Sequence, residues 1–106
     1  GLDYAAARGI ATAVVEHRAF VETDLSSLRM LNSGSSTIPE SLIRPFHERG
    51  IPVGQVYGTT ETGPISIVLR AEDAMRKLGS TGKPAIHCEV RLVDEQGNDV
   101  PRGTVG

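Results

Sequence analysis

The sequence has very little cysteine and few aromatic residues: one cysteine, no tryptophan, two tyrosines and two phenylalanines among 106 residues. The single cysteine, Cys88, excludes an internal disulfide framework and is typical of a reducing compartment, which predicts a cytoplasmic location. With so few aromatic rings, a core must be built from Val, Ile, Leu and Ala. Apolar runs are too short to span a bilayer, and no basic segment precedes an apolar one, so we expect neither a membrane span nor a signal peptide.

An excess of charge of one sign is missing as well. The chain has 11 basic and 13 acidic residues, interspersed, for a formal net charge of -2. The absence of a basic block argues against a nucleic-acid partner. The length allows one domain at most, with a modest core. Because the chain starts without Met and ends on the turn-like residues Gly103–Gly106, we expect a piece of a longer protein.

The first half of the chain predicts helices that alternate with strands. Alanine-rich residues favour a first helix with Asp3 as its N-cap, and Gly50 ends a second helix whose apolar residues lie three and four positions apart. The order helix, strand, helix, strand favours parallel strands joined by a helical crossover. The predicted elements are a helix over 4–20, a strand over 28–31, a loop over 32–37, a helix from Pro39 to Gly50 and a strand over 53–57.

The second half has a different character, with short elements and many turn residues. Its predicted elements are a helix over 71–77, a loop over 79–84, a period-two strand over 88–94 and a turn at 96–98. We therefore predict an α/β fold. Residues 1–65 would form a fragment of a parallel-sheet α/β subdomain, a β-α-β unit with a flanking helix. Residues 66–106 would add a linker, a loop and a short β-hairpin of an adjoining subdomain.

The segment Tyr57-Gly58-Thr59-Thr60-Glu61 directly follows an apolar strand, and ligands of open α/β sheets bind at the carboxyl ends of strands. The ring of Tyr57 could stack on a base, and Gly58 would let a ligand approach the backbone. The two threonines offer hydroxyls to phosphate oxygens, and Glu61 offers a carboxylate to Mg²⁺. The alternative is an ordinary loop in which Glu61 is merely solvated.

The remaining motifs carry less information about chemistry. The loop Gly79–Lys83 fails as a Walker A sequence, because Lys77 stands where that motif needs glycine and Pro84 where it needs Ser or Thr. The three histidines lack metal-ligand spacing. We expect His47 on the exposed side of its helix and Cys88 as a small core residue.

Five segments in one order carry a resemblance to a known family: 24–29, the small-residue loop near Gly34, 57–61, 79–84 and 89–94. This combination resembles the AMP-forming acyl-adenylating enzymes, which include acyl- and aryl-CoA synthetases, luciferase and the adenylation domains of peptide synthetases. The similarity covers roughly residues 24–106. It implies that a carboxylic acid and ATP form an acyl-adenylate and pyrophosphate, after which many members pass the acyl group to coenzyme A.

The resemblance also implies roles for individual residues. Tyr57 would stack on adenine, Thr60 would bond the α-phosphate, and Glu61 would hold Mg²⁺, so Thr60 and Glu61 are the candidate catalytic residues. A loop from residue 33 to 37 would line the adenine and acyl pockets, and residues 80–83 would support the floor of the site without a catalytic role. The implied nucleotide-binding residues are Ser33, Gly34, Ser35, Ser36, Tyr57, Gly58, Thr59 and Thr60.

The chain departs from the family pattern at one loop and lacks several of its groups. Gly34-Ser35-Ser36-Thr37 stands where the family commonly has Gly-Gly-Ala-Pro, which leaves the shape of the acyl pocket open. The family's phosphate loop, ribose-binding aspartate and C-terminal lysine would all lie outside residues 1–106. We therefore expect the central piece of a carboxylate–CoA ligase that is inactive alone, with exposed edges that favour a dimer. A stand-alone nucleotide-binding module or a non-catalytic interaction module is the alternative, and the acid and the final thiol acceptor stay open.

Overall fold

Four short strands form one open sheet, with helices packed on it, in a computed structural model that describes residues 4–106. The elements are α1 Tyr4–Glu16, a 3-10 turn Arg18–Phe20, β1 Leu31–Gly34, α2 Glu40–Glu48, β2 Val53–Tyr57, β3 Ile67–Leu69, α3 Ala71–Ala74 and β4 Lys83–Pro84. The strand order is β1-β2-β3-β4; β1 pairs with β2 in parallel, and the other pairs are antiparallel. Asp3, the predicted cap of the first helix, lies outside the described residues.

The predicted parallel pair is confirmed, but its first strand begins later than expected. Leu31 stands opposite Val53 and Gly34 opposite Val56, so the small residues 32–34, predicted as a loop, belong to the strand. The backbone N–H of Leu31 donates to the carbonyl of Pro52 at 3.0 Å. Pairing with β2 thus outweighs the weak strand propensity of Asn, Ser and Gly. As a result, the carboxyl ends of β1 and β2 lie at the same edge of the sheet.

The first helix ends at Glu16, whereas the sequence predicted that it would reach residue 20. His17 is extended, with ψ at 131°, and its Nδ1 accepts a hydrogen bond from the backbone N–H of Ala19 at 3.1 Å. A side chain that caps a new turn in this way competes with continuation of the helix.

The second helix has the predicted end and continues through Pro45. Gly50 has φ of +76°, and its N–H donates to the carbonyl of His47 at 2.9 Å. The N–H of Ile51 donates to the carbonyl of Phe46 at 2.9 Å, which completes a Schellman motif. Phe46 and Ile51 are both buried, so the motif also places an apolar residue of the following segment in the core.

The core lies between α2 and the sheet and is mostly aliphatic, as the composition predicts. Phe20 adds an edge-to-face contact with Phe46, with ring centroids 5.3 Å apart. The guanidinium of Arg49 lies 5.1 Å from the centroid of the Phe20 ring and donates to the carbonyls of Phe20 and Thr23. The buried cluster consists of Ile38, Ile43, Phe46, Ile51 and Val53.

The prediction that His47 is exposed is wrong, because its side chain is half-buried. Its Nε2 accepts a hydrogen bond from the backbone N–H of Val53 at 3.1 Å. The bond ties the end of α2 to the first residue of β2. Burial, with a smaller contribution from the charge of Arg44, lowers the pKa of His47 from its ordinary value of 6.5. The imidazole therefore favours the neutral form that can accept this bond.

The second half differs most from the sequence prediction. Strand β3 was not predicted, β4 lies in the predicted loop 79–84, and the helix expected over 71–77 is shortened to Ala71–Ala74. The prediction of a strand over 88–94 is wrong, because in this segment only Val93 pairs, in an isolated bridge with Asp99. The two residues lie on either side of a turn in which Gly97 has φ of +83°. Leu92 is 61% exposed, so the alternating pattern has no face to bury here.

These differences leave the α/β class intact, since helices and strands alternate over residues 4–57. Cys88, expected in the core, is only half-buried. Strands β3 and β4 continue the sheet of β1 and β2. The division of the chain into two parts near residue 65 stays a prediction. Among residues 4–106, no helix is long and apolar enough to cross a membrane.

Candidate functional site

A cleft of about 340 Å³, most of whose lining residues have polar side chains, lies at the carboxyl ends of β1 and β2. This edge is where open α/β sheets bind ligands, and the volume is within the usual range for small-molecule sites. One side is formed by the segment after β1 and the other by the end of β2 and the residues that follow it. The lining residues are Ser35, Ser36, Thr37, Ile38, Gln55, Val56, Tyr57, Gly58, Thr59, Gly79 and Thr81.

The cleft brings together five of the predicted site residues: Ser35, Ser36, Tyr57, Gly58 and Thr59. They are distant in sequence and meet only because β1 and β2 are parallel neighbours. Tyr57 is 57% exposed, so a face of its ring is accessible.

The other predicted residues lie outside this lining. Ser33 and Gly34 are strand residues that line an adjoining, mainly apolar cavity of about 430 Å³, which shares Ser35 and Val56 with the cleft. Thr60 and Glu61 are exposed in the loop that follows β2.

Several residues of the cleft were not among the predicted site residues. Gln55 and Val56 belong to the strand before the motif, and Ile38 lies just before α2. Gly79 and Thr81 reach the cleft because β4 pairs with β3 and returns the chain to this edge. Thr81 belongs to the residues that the resemblance assigned to the floor of the site, whereas Gly79 does not.

Two glycines at the site are required by the packing of the chain itself. A Cβ on Gly58 would lie 2.7 Å from the carbonyl oxygen of Pro64 and 2.9 Å from that of Gly63. A Cβ on Gly34 would lie 2.5 Å from Cγ2 of Val56 and 2.6 Å from its carbonyl oxygen. Gly58 therefore lets the following loop fold back on the end of β2, and Gly34 lets the ends of the two strands approach each other.

The first side of the cleft contains an unusual backbone conformation and an unpaired hydroxyl. Ser35 has φ of +68°, a left-handed conformation that glycine adopts more readily than other residues. Glycine is also what the family pattern commonly has at this position. The Oγ of Ser36 is buried and has no hydrogen-bond partner among the described residues. A buried polar group without a partner is uncommon and distinguishes this wall of the cleft.

Thr60 and Glu61 are the two central residues of a β-turn formed by residues 59–62. The N–H of Thr62 donates to the carbonyl of Thr59 at 3.2 Å, and the N–H of Thr59 donates to Oγ1 of Thr62 at 3.0 Å. Ser66 joins the turn to β2, because its N–H donates to the carbonyl of Tyr57 at 2.8 Å. The turn therefore presents a hydroxyl and a carboxylate next to the cleft.

Glu61 is the residue at the turn suited to a hard divalent cation. Within the described part of the chain, no three His, Cys, Asp or Glu side chains are grouped as a metal site. Mg²⁺ commonly takes only one or two protein carboxylates and completes its shell with water and substrate phosphates. A single exposed carboxylate fits that mode of binding.

Residues 4–106 match the model of the family described as AMP-binding enzyme. The chain belongs to the AMP-binding enzyme family. The resemblance found in the sequence is thereby confirmed. One relative is an indoleacetate–CoA ligase of Aromatoleum aromaticum, 52% identical over 83 residues that cover 78% of this chain and 16% of the relative.

Solved structures of related enzymes share the fold. An anthranilate CoA ligase in complex with anthranoyl-AMP superposes with a TM-score of 0.77 at 36% identity, covering 92% of this chain and 19% of that one. An o-succinylbenzoate coenzyme A synthetase of Bacillus subtilis, solved with ATP and a magnesium ion, gives a TM-score of 0.69 at 32% identity, covering 90% of this chain and 19% of that one. This member of the AMP-binding enzyme family thus spans less than a fifth of the length of these relatives.

Proposed function

We propose that the chain supplies one wall of the nucleotide site of an ATP-dependent carboxylate–CoA ligase. In the first step, a carboxylate oxygen of the acid attacks the α-phosphorus of ATP, and the bond to the bridging oxygen breaks to release pyrophosphate. In the second step, the sulfur of coenzyme A attacks the acyl carbonyl and AMP leaves, while the thiol proton passes to solvent. The cleft between residues 35–37 and 57–59 is the observation that carries this proposal.

The cleft offers a nucleotide several complementary contacts. The exposed ring of Tyr57 is available to stack on adenine, and base–aromatic stacking contributes about 1–3 kcal/mol. Ser36 lines the cleft, and a rotation of its side chain would bring its buried, unpaired Oγ to the nucleotide. Ser33 and Gly34 would act indirectly, because they place the segment that begins at Ser35.

The turn beside the cleft is suited to the phosphates. The hydroxyl of Thr60 can donate to an oxygen of the α-phosphate, where negative charge develops in the transition state. Glu61 would provide a ligand to Mg²⁺, which offsets phosphate charge when it is bound. Gly58 and Thr59 connect this turn to Tyr57, so the base and phosphate contacts lie on one short segment.

The names of the relatives favour an aryl acid over a fatty acid as the substrate. Four of the relatives, at 36–52% identity, are named for indoleacetate, ferulate, 2-succinylbenzoate and anthranilate, all of which contain an aromatic ring. A solved fatty acyl CoA synthetase of Mycobacterium tuberculosis also matches, at a lower identity of 29%. These relatives are CoA ligases or synthetases, which supports coenzyme A over a carrier-protein thiol as the acceptor. Cytoplasmic location stays a prediction from the single cysteine.

Pyrophosphate exchange with ATP tests the function in the longest reading frame that encodes this chain. We expect exchange with aryl acids and little with a long-chain fatty acid. Glu61→Gln should lower the rate by at least tenfold and raise the Mg²⁺ requirement, because a charged ligand is lost. Glu95→Gln is the matched control, since Glu95 is an exposed acid away from the cleft. No exchange by the wild-type protein with any acid, or equal exchange by Glu61→Gln, contradicts the proposal.

The 106-residue chain alone is proposed to be inactive and to self-associate. It exposes apolar side chains on α1, with Ile10 at 61% and Val14 at 44%, and within the described sheet β1 has an unpaired edge. Light scattering after gel filtration should give a mass above the monomer's 11.3 kDa. ATP·Mg²⁺ titration by NMR separates the alternatives: shifts at Tyr57 and Thr60 support a nucleotide wall, and no shifts support a non-catalytic interaction module.

A further inference from the structure

A network of three hydroxyl groups lies behind the turn that contains Thr60 and Glu61. Its centre is Oγ1 of Thr62, which accepts from the N–H of Thr59 at 3.0 Å and lies 3.2 Å from Oγ1 of Thr59. Oγ of Ser66 lies 3.0 Å from the same oxygen and 3.2 Å from the carbonyl of Thr62. One hydroxyl therefore connects both ends of the turn to a residue beyond it.

Ser66 is fixed more firmly than the turn it holds. It is buried, with 9% of its surface exposed, whereas Thr59 and Thr62 are exposed. Its N–H donates to the carbonyl of Tyr57 at 2.8 Å, and its own carbonyl accepts from the N–H of Ala85 at 2.9 Å. The contacts form a continuous path from the end of β2, through Ser66 and Thr62, to the backbone of the turn.

We infer that Thr62 and Ser66 are positioning residues for the nucleotide and its metal ion. This inference rests on the proposed function, because it concerns how Thr60 and Glu61 are held toward the phosphates. The turn is exposed, and among the described residues the side-chain groups bonded to it are the hydroxyls of Thr59, Thr62 and Ser66, of which that of Thr62 contacts the other two. Without them Glu61 would sample many positions, and Mg²⁺ tolerates little deviation from octahedral geometry. A shift of about 1 Å in a positioning contact can cost about 100-fold in rate.

The test compares Thr62→Val, Thr62→Ser, Ser66→Ala and the double variant Thr62→Val with Ser66→Ala in the longest reading frame that encodes the chain. Valine keeps the shape of threonine and removes the hydroxyl, whereas serine keeps the hydroxyl. The matched control is Thr104→Val, an exposed threonine distant from the turn in sequence. Pyrophosphate exchange is measured as a function of ATP, Mg²⁺ and acid separately. Hydrogen exchange of peptides that cover residues 58–63 reports on the turn without requiring activity.

Thr62→Val should raise the KM for Mg·ATP and the Mg²⁺ concentration for half-maximal rate by roughly tenfold, and leave the KM for the acid within about twofold, because only phosphate and metal contacts depend on the turn. Thr62→Ser and Thr104→Val should stay within about twofold of wild type. Ser66→Ala should act in the same direction, and the effect of the double variant should be smaller than the product of the two single effects, since Oγ of Ser66 contacts both Oγ1 and the carbonyl of Thr62. Amide exchange over 58–63 should be faster in Thr62→Val.

Three results overturn the inference while the proposed function stands. The first is an active wild type in which Thr62→Val leaves the Mg·ATP and Mg²⁺ dependence unchanged, and the second is a Thr62→Ser variant that is as defective as Thr62→Val. Unchanged amide exchange in a folded Thr62→Val protein also overturns it. An inactive wild-type protein overturns the proposed function and, with it, the inference.

Discussion

The hydrogen bond between His47 and Val53 predicts that stability falls as the pH drops below 6.5. The pKa of His47 is lowered in the folded chain, foremost by burial, whereas the unfolded chain has the ordinary value of 6.5. Between those two values the unfolded chain binds a proton that the folded chain resists. The free energy of unfolding therefore decreases as the pH falls from 6.5 through the folded pKa, and it is level above 6.5.

The size of this loss follows from the bond itself. A protonated Nε2 cannot accept from the N–H of Val53, a residue that is only 3% exposed. A hydrogen bond contributes about 0.5–1.5 kcal/mol net, and a buried donor left without a partner costs about 1–3 kcal/mol. Because His47 is only half-buried and water can reach the imidazole, we expect a loss of about 1 kcal/mol, at the low end.

Urea unfolding followed by circular dichroism at pH values from 4.5 to 8 measures the effect. His47→Gln should remove most of the pH dependence, because glutamine does not titrate in this range. His87→Gln is the control: His87 is exposed, and this variant leaves His47 in place. The carboxyl of Asp94, whose pKa is lowered chiefly by a backbone hydrogen bond with Asn98, loses its contribution only below its ordinary pKa of 3.8. The reasoning is refuted if the free energy of unfolding of the wild type stays level or increases as the pH is lowered from 6.5 to 4.5.

Three further predictions concern packing and backbone conformation, and urea unfolding at pH 7.5 checks each of them. Gly34→Ala should cost about 1–3 kcal/mol, because its Cβ would collide with Val56; the control Gly9→Ala, in the open on α1, should instead stabilise by about 1 kcal/mol. Ser35→Gly should stabilise by about 0.5–1 kcal/mol, since it relieves a positive φ. Phe46→Ala should cost about 3–5 kcal/mol by removing a buried ring and its contact with Phe20.

Each of these three has an outcome that contradicts it. Equal effects of Gly34→Ala and Gly9→Ala would mean that the ends of β1 and β2 are not in close contact. A destabilised Ser35→Gly would mean that Ser35 makes a contact stronger than its backbone strain. A loss below about 1 kcal/mol for Phe46→Ala would place that ring outside the core.

The elements predicted correctly have signals within their own sequence. Helix α2 has Pro39 before its first turn and Gly50 after its last, and β2 is a short apolar run. Strand β1 was misplaced because Ser33 and Gly34 become strand residues only through pairing with β2, a contact with residues far along the chain. Pairing also creates β3 and β4, whereas the alternation over 88–94 has no face to pack against.

The candidate site was predictable to the same extent. Tyr57 and its neighbours form a recognisable motif, and the loop after β1 is rich in small residues. Gln55 and Gly79 could not be found, because their place in the cleft depends on which strand ends meet. His47 was misjudged since its partner is a backbone group of another element, which no sequence pattern reveals.

The pairing of Tyr57 with Ile67 closes the base of the loop that carries Thr60 and Glu61. The segment between these two residues starts and ends at one rung of the ladder, so its sequence can change without altering the register of β2 and β3. Loop closure of this kind has a low entropic cost that grows only slowly with length. We expect natural variation to accumulate over residues 63–65, while the turn that carries Thr60 and Glu61 and the strands on either side are kept.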